Sequence, residues 1–595
     1  MILPGIHTLK QTIQAHSQSL SPLQSKVVTL IIALALGALT FSLAPADLQP
    51  GPYKAHVKAT LPGQQLSVQL PIAIGPETGQ PISVRETAGS YTMLVEGESS
   101  FPYKLGQEIG YRVRVFDQAG QTVLLTFNDV QSVLQGPGYE QTLPPTLRSE
   151  GGLAFSFRMP YRAKTVAALL AVVAVLWVTE VVPLAASALL IPVVIAVTGV
   201  TDVGTVLQPF FHPIIVLFLA GFLLAEAMHR TGIDRLIALA ILRRASLKPA
   251  FLMLSMLAIT AFFSMWMSNT ASVAIIIPIA LMVLDKMPLK ENKTGFRRAL
   301  ILGVAYAATI GGIGSAIGTP ANMLAITFLS EFTNTPLTFV DWFAYGLPMV
   351  LLMIPIIWLY LLFAFRVRLN QADTGLSHAM YEAELKSLGP MNRSQKLLLV
   401  VFLGIVTLWL TEGWHHIHTA MVALAGVLIL FFVETIKKED LNHINWNALL
   451  TFGGGLSIGS LLVLTGVSDW VALQLTGMVG LPPMLVVFLV AALTLTIGAL
   501  ISNTACAAML IPMAIPLAQI LQIDPRLLVT VVAIGSSIDF AMVIGTPPTM
   551  MAYSTGFFKT SDIFKRGIVL DLIGVLILSF GVIWIWQLLG VVMIR

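Results

Sequence analysis

A polar triplet occurs twice inside apolar runs of this chain, and it constrains the fold more than any other feature. Ser268-Asn269-Thr270 opens "SNTASVAIIIPIA", and Ser502-Asn503-Thr504 opens "SNTACAAMLIPMA". The two thirteen-residue stretches share eight positions at an offset of 234. Asparagine is costly in an apolar medium unless its polar atoms are paired. A chain that carries the arrangement twice must therefore place both triplets where those atoms are used. The structural alternative, that Ser, Thr and Gly only let helices pack closely, accounts for one such triplet better than for two.

Three more pairs recur in the same order. "AGFLLAEAMHRTG", ending at Gly232, and "GGLSIGSLLVLTG", ending at Gly466, are again 234 apart. "WVTE" at Trp177 returns as "WLTE" at Trp409, and "IGTPANM" at Ile317 returns as "IGTPPTM" at Ile544. The chain therefore holds an internal repeat.

Composition says what surrounds the triplets. Of 595 residues, 56% are hydrophobic and 11% charged, with mean hydropathy +0.83. Soluble domains carry roughly 25% charged residues, so this is a polytopic membrane protein. The apolar runs are long and continuous, which predicts an all-α bundle rather than a barrel. The net charge of +4 and pI near 9.0 fit basic cytoplasmic loops rather than a nucleic-acid partner. The single cysteine, Cys506, excludes an internal disulfide. Among the chemical motifs sought, no nucleophile–base pair, cofactor loop or metal-ligand spacing appears, so the chain does not read as an enzyme.

Residues 1–46 read as a cytoplasmic N-terminus followed by a retained first helix, whose apolar run is Val27–Leu43. Residues 47–162 are polar and alternate with period two, as in "LSVQLPIAI" and "GYRVRVFD". That pattern predicts five to seven strands of a small sandwich-like domain outside the cytoplasm. A first repeat spans 163–365, a linker 366–396, and a second repeat 397–595. Basic clusters begin at Arg243, Asp285, Arg366, Lys437 and Lys559. All five fall in the cytoplasm only if segments 251–285 and 485–520 enter and leave on the same side as re-entrant hairpins. A crossing needs about 20 apolar residues, and each segment has about 35 with its triplet in the middle. The count is then eleven transmembrane helices plus two hairpins, with the C-terminus outside the cytoplasm. Five spans per repeat turn the second copy upside down. Inverted repeats with interrupted helices mark secondary transporters.

Each half also carries a Gly-rich break, Gly311–Met323 and Gly535–Met550, where Gly and Pro should unwind a helix. Unwound carbonyls and hydroxyls suit a small hard cation. Helix N-termini with Asn, Ser and Thr donors suit an anion. Neither tip nor break contains Lys or Arg, so an anion there would be held by neutral dipoles and a co-bound cation. Asp539, near the second break, has no counterpart in the first half.

The paired triplets, the Gly-Thr-Pro breaks, "WVTEVVPLAASALLIPVVIAVTG" and "HPIIVLFLAGFLLAEAMHRTG" resemble the divalent anion/sodium symporter family. Those proteins carry dicarboxylates, citrate or sulfate with sodium. The resemblance covers about Ala168 to the end of the chain. It implies a homodimer in the lipid bilayer, with a scaffold and a moving transport domain working as an elevator. It also implies two Na⁺ sites flanking one substrate. Carried onto this sequence, the first Na⁺ site uses Ser264, Ser268, Asn269 and Gly318. The second uses Asn503 and Gly545, with backbone oxygens of Gly498 and Ile501. Substrate meets Asn269, Thr270, Thr319, Asn503, Thr504 and Thr546. Gly498 stands where the family has a hydroxyl residue, Thr549 where it often has Asn, and the β-rich insert where it has a short loop. The expected function is Na⁺-coupled symport of a small divalent anion, a C4-dicarboxylate, across a bacterial inner membrane. A sulfate carrier, a sodium-independent exchanger, and a receptor sensing through the β-rich domain are the alternatives.

Overall fold

The structure is a computed structural model. It describes residues 22–44, 51–61, 64–74, 83–88, 90–97, 108–123, 125, 130–136, 139–143, 147–149, 152–158 and 162–591, apart from 288–292, 334–336, 368–377, 476–477, 479 and 544. The N-terminal residues before Pro22, part of the 366–396 linker, the last four residues and Ile544 of the second motif lie outside the described residues.

The membrane part is helical. Among the described residues, eight helices are long and apolar enough to cross a membrane, and seven more apolar helices are shorter. The first, Pro22–Leu43, packs against Ala163–Thr179. A Cβ on Gly37 would sit 3.3 Å from the Ala168 carbonyl, and Lys164 Nζ lies 5.7 Å from the Phe41 ring centre. The pair is therefore antiparallel.

Among the described residues, nine strands lie between these two helices, more than the alternation had predicted. They form two antiparallel sheets, β2-β1-β6-β7 and β3-β4-β5-β9-β8. Here β1 is Gly51–Leu61, β2 Gln64–Ile74, β3 Ser83–Ala88, β4 Tyr91–Gly97, β5 Glu108–Phe116, β6 Val130–Gly136, β7 Tyr139–Leu143, β8 Leu147–Ser149 and β9 Gly152–Arg158. Alternate residues of β1 (Ala55, Val57, Ala59) and of β5 (Tyr111, Val113, Val115) are buried in a core of their own. Tyr111 stacks on Phe155 and its hydroxyl bonds Ser132 of the other sheet. The short strands β7 and β8 were hidden by Gly, Pro and Glu, which blur a period-two pattern.

At each triplet the chain turns back. Helix Pro249–Ser264 ends just before the first triplet, and Asn269–Lys286 starts within it. The next helix, Lys293–Gly311, runs alongside Pro249–Ser264 in the same direction. Its Gly303 faces Met253 and Leu257, and its Gly311 faces Ala261. Two neighbours that run the same way need a connection that returns, so Asn269–Lys286 is the return limb. The second half repeats this with Pro483–Gly498, the return limb Asn503–Leu521, and Pro525–Ser536. There the last turns lie side by side, with Gly498 near Ser536 and Gly535 near Thr494.

The breaks unwind as the glycines and prolines demand. Lys293–Gly311 passes into a short 3₁₀ turn, and a helix restarts only at Pro320. In the second half Pro525–Ser536 stops and a helix restarts at Pro547. Proline is well tolerated at a first helical position because its missing N–H has no intrahelical partner there.

Candidate functional site

Both tips and both breaks face one cavity of about 280 Å³. Each triplet has the same local logic. Ser268 and Ser502 are N-caps whose hydroxyls accept from Ala271 N (3.2 Å) and Ala505 N (3.3 Å). The serine satisfies an orphan N–H of the return limb, which leaves Asn269 and Asn503 at the first helical position, beside the cavity. Thr319 and Thr546 precede the helices that leave the breaks and make no side-chain cap bond. Four helix N-termini thus meet at the cavity, with Ser268, Thr319, Ser502 and Thr546 on its wall. Helix N-termini carry partial positive charge and free N–H groups. Among the described lining residues none is charged.

All six residues expected to meet substrate line this cavity: Asn269, Thr270, Thr319, Asn503, Thr504 and Thr546. Of the expected cation ligands, Ser268, Asn269, Gly318, Asn503 and Gly545 line it, whereas Ser264, Gly498 and Ile501 do not. Behind the first tip the oxygens converge. Ser264 Oγ is 2.7 Å from Asn269 Oδ1 and 2.6 Å from the Ala308 carbonyl. A Cβ on Gly312 would meet Asn269 Oδ1 at 2.5 Å and the Gly318 carbonyl at 3.1 Å, and one on Gly318 would meet the carbonyls of Gly312 and Ser264. Only glycine permits this approach, and the donors it gathers are all oxygens, as a hard cation requires. Asn322 clasps the same loop from inside, donating to the carbonyls of Gly312 (3.0 Å) and Ser315 (2.7 Å).

A family model described as "sodium:sulfate symporter transmembrane region" matches residues 155–592. The chain belongs to this family, the divalent anion/sodium symporters. An uncharacterized transporter of Haemophilus influenzae is 31% identical over 436 residues, covering 70% of this chain and 91% of that protein. A sodium-dependent dicarboxylate transporter of Staphylococcus saprophyticus is 29% identical over 433 residues, covering 68% and 83%. One from Staphylococcus aureus is 28% identical over 452 residues, covering 72% and 86%. The family match begins inside β9, so the first helix and most of the sandwich lie outside it.

Within the chain the two halves differ around their breaks. Gly498 stands opposite Ser264 in the repeat, so Asn503 receives no serine hydroxyl there, and its buried Oδ1 has no hydrogen-bond partner among the described residues. Thr549 replaces Asn322 and bonds Thr546 at 3.0 Å. The clasp on the second break comes instead from Asp571, on helix Thr560–Leu576. It accepts from Phe540 N (2.8 Å) and Ala541 N (3.1 Å).

Sequence reasoning missed Asp571, and it missed Asn445, Asn447 and Thr451, which also line the cavity. Asn447 Oδ1 accepts from Ala185 N (2.9 Å), tying the two repeats together, and Asn445 caps the helix that begins at Trp446. The pattern "NHINWN" ahead of an apolar run was the available signal. It has no copy in the first half, so a search for repeats passes over it.

Proposed function

We propose that this chain is a secondary active transporter that couples Na⁺ to the symport of a small divalent anion, a C4-dicarboxylate. The observation that carries the reading is the uncharged cavity ringed by four helix N-termini, with an oxygen nest behind Asn269. Neutral dipoles offset only part of a dianion's charge, and a cation held behind each asparagine supplies the rest. Asn269 faces both the cavity and the nest, which gives a direct route to coupling. An ion on Oδ1 fixes the side chain, and the fixed side chain presents its Nδ2 to a carboxylate. The staphylococcal relatives named as sodium-dependent dicarboxylate transporters support the choice of substrate and ion.

In this reading the chain has eleven spans, and the limbs meeting at each triplet enter and leave on one side of the membrane. One tip then approaches from the cytoplasm and the other from outside, with the cavity between them. The protein works as a homodimer in the inner membrane. Its N-terminus is cytoplasmic, its β-rich domain and C-terminus lie outside, and each transport unit moves against a scaffold.

The test is uptake into proteoliposomes of radiolabelled succinate, malate, citrate and sulfate, with and without an inward Na⁺ gradient. Na⁺-dependent succinate or malate uptake is expected, and it is lost in Asn269→Ala and Asn503→Ala protein that remains monodisperse. Normal uptake by either variant would sink the assignment. A Na⁺ gradient imposed with no internal anion separates symport from exchange. Deletion of 47–162 with uptake retained would make the sandwich accessory.

A further inference from the structure

We infer that the second cation site carries a formal negative charge, supplied by Asp539, where the first site is neutral. The inference rests on the Na⁺-coupled reading above and deepens it.

The repeat itself carries the argument. The Gly-Thr-Pro loops match at an offset of 227, which pairs Gly318 with Gly545, and six residues before that glycine stands Gly312 in the first half and Asp539 in the second. In the first half Gly312 lies bare against Asn269 Oδ1 and the Gly318 carbonyl. In the second half the residue at that place has a carboxylate. It is fully buried, and its Oδ2 occupies the position a Cβ on Gly545 would take, with its other oxygen 3.1 Å from that position. The carboxylate therefore lies against the glycine of the second Gly-Thr-Pro loop, beside the cavity wall that Gly545 helps form.

The tip shows the opposite exchange. Ser264, which bonds Asn269 in the first half, is replaced by Gly498. The second site thus loses a neutral hydroxyl and gains a charged oxygen pair. Asp571 holds the peptide that carries Asp539 by accepting from the two N–H groups that follow it. Asp571 is a positioning residue here, and Asp539 is the ligand.

Charge on the ligands is what most strengthens a hard-cation site. The second site should therefore fill at lower Na⁺ than the first and before the anion arrives, because a dianion is repelled by an uncompensated carboxylate. The two sites therefore differ in Na⁺ affinity through the residues that form them.

Full-length protein in detergent tests this. Na⁺ is titrated against choline at constant ionic strength without substrate, and binding is read from tryptophan fluorescence and from the thermal midpoint. Trp266 on the cavity wall is the reporter. Asp539→Asn keeps the size and removes the charge, and it should raise the half-saturating Na⁺ by about tenfold or more. An unchanged half-saturation in Asp539→Asn, with the wild type responding, overturns the inference and leaves the Na⁺-coupled reading standing. A wild type without any Na⁺ response overturns both. Should the variant not yield monodisperse protein, infrared difference spectra of the wild type, Na⁺ minus choline, decide. A Na⁺-induced carboxylate shift upholds the charged ligand, and its absence overturns it.

Discussion

Ser264 Oγ lies 2.7 Å from Asn269 Oδ1, a bond that the second half cannot form because Gly498 stands in the matching place. The two tips are copies in sequence and in capping, yet among the described residues only the first asparagine has its Oδ1 held by a side chain. The consequences can be measured one residue at a time.

Ser264→Ala removes the hydroxyl but leaves the backbone oxygens of the nest. A hydrogen bond of this kind contributes about 1 kcal/mol, a factor of about five in an equilibrium. Half-saturating Na⁺ for uptake should rise by that order, with maximal velocity at saturating Na⁺ near the wild-type value. The Na⁺ dependence of initial rates in proteoliposomes checks it.

Gly318→Ala places a methyl group on the Gly312 carbonyl and close to that of Ser264. Backbone cannot yield as a flexible side chain does, so the first nest must open. Na⁺-dependent uptake should fall at least about tenfold while the circular dichroism stays helical, an overpacking cost of roughly 1–3 kcal/mol. Gly404→Ala, whose Cβ would meet nothing within 4 Å, is the matched control and should transport normally.

Asp571→Ala leaves the N–H groups of Phe540 and Ala541 buried without their acceptors. Each orphaned donor costs about 1–3 kcal/mol, so the thermal midpoint should drop by several degrees. Asp571→Asn keeps one acceptor oxygen and should fall between the two. Equal midpoints for wild type and Asp571→Ala would show that the clasp contributes nothing.

Asn447→Asp keeps the acceptor that Ala185 N uses and adds a negative charge to an uncharged cavity wall. A dianion then meets a like charge at short range in a partly desolvated site. The KM for dicarboxylate should rise by about tenfold or more, and the effect should shrink for a neutral or singly charged analogue. A substrate-independent loss would point to damage to the fold instead.

Much of the site was legible in the sequence because it was written twice. The duplicated triplets and Gly-Thr-Pro loops fixed which residues had to meet, and Asn269, Asn503, Thr319 and Thr546 do line one cavity. Local chemistry sufficed there, since a serine cap and a proline restart act within a few residues. What escaped reading depends on contacts between distant segments without a repeat. Asp571 reaches Phe540 from a different helix, and Asn447 reaches Ala185 across 262 positions. The sandwich was legible as a class, through buried alternation in β1 and β5, but β7 and β8 are too short and too polar for periodicity to reveal.

The antiparallel pair Pro22–Leu43 and Ala163–Thr179 has a consequence of its own. The chain leaves the membrane part near Leu43 and rejoins it at Ala163, and these two ends stand side by side because Phe41 faces Lys164 and Gly37 faces Ala168. The pair is a stub with both cut ends at one point. Whatever is spliced onto it closes a short loop and asks for no rearrangement below. The stub is thus a socket, ready to accept a fluorescent protein or an epitope in place of the sandwich.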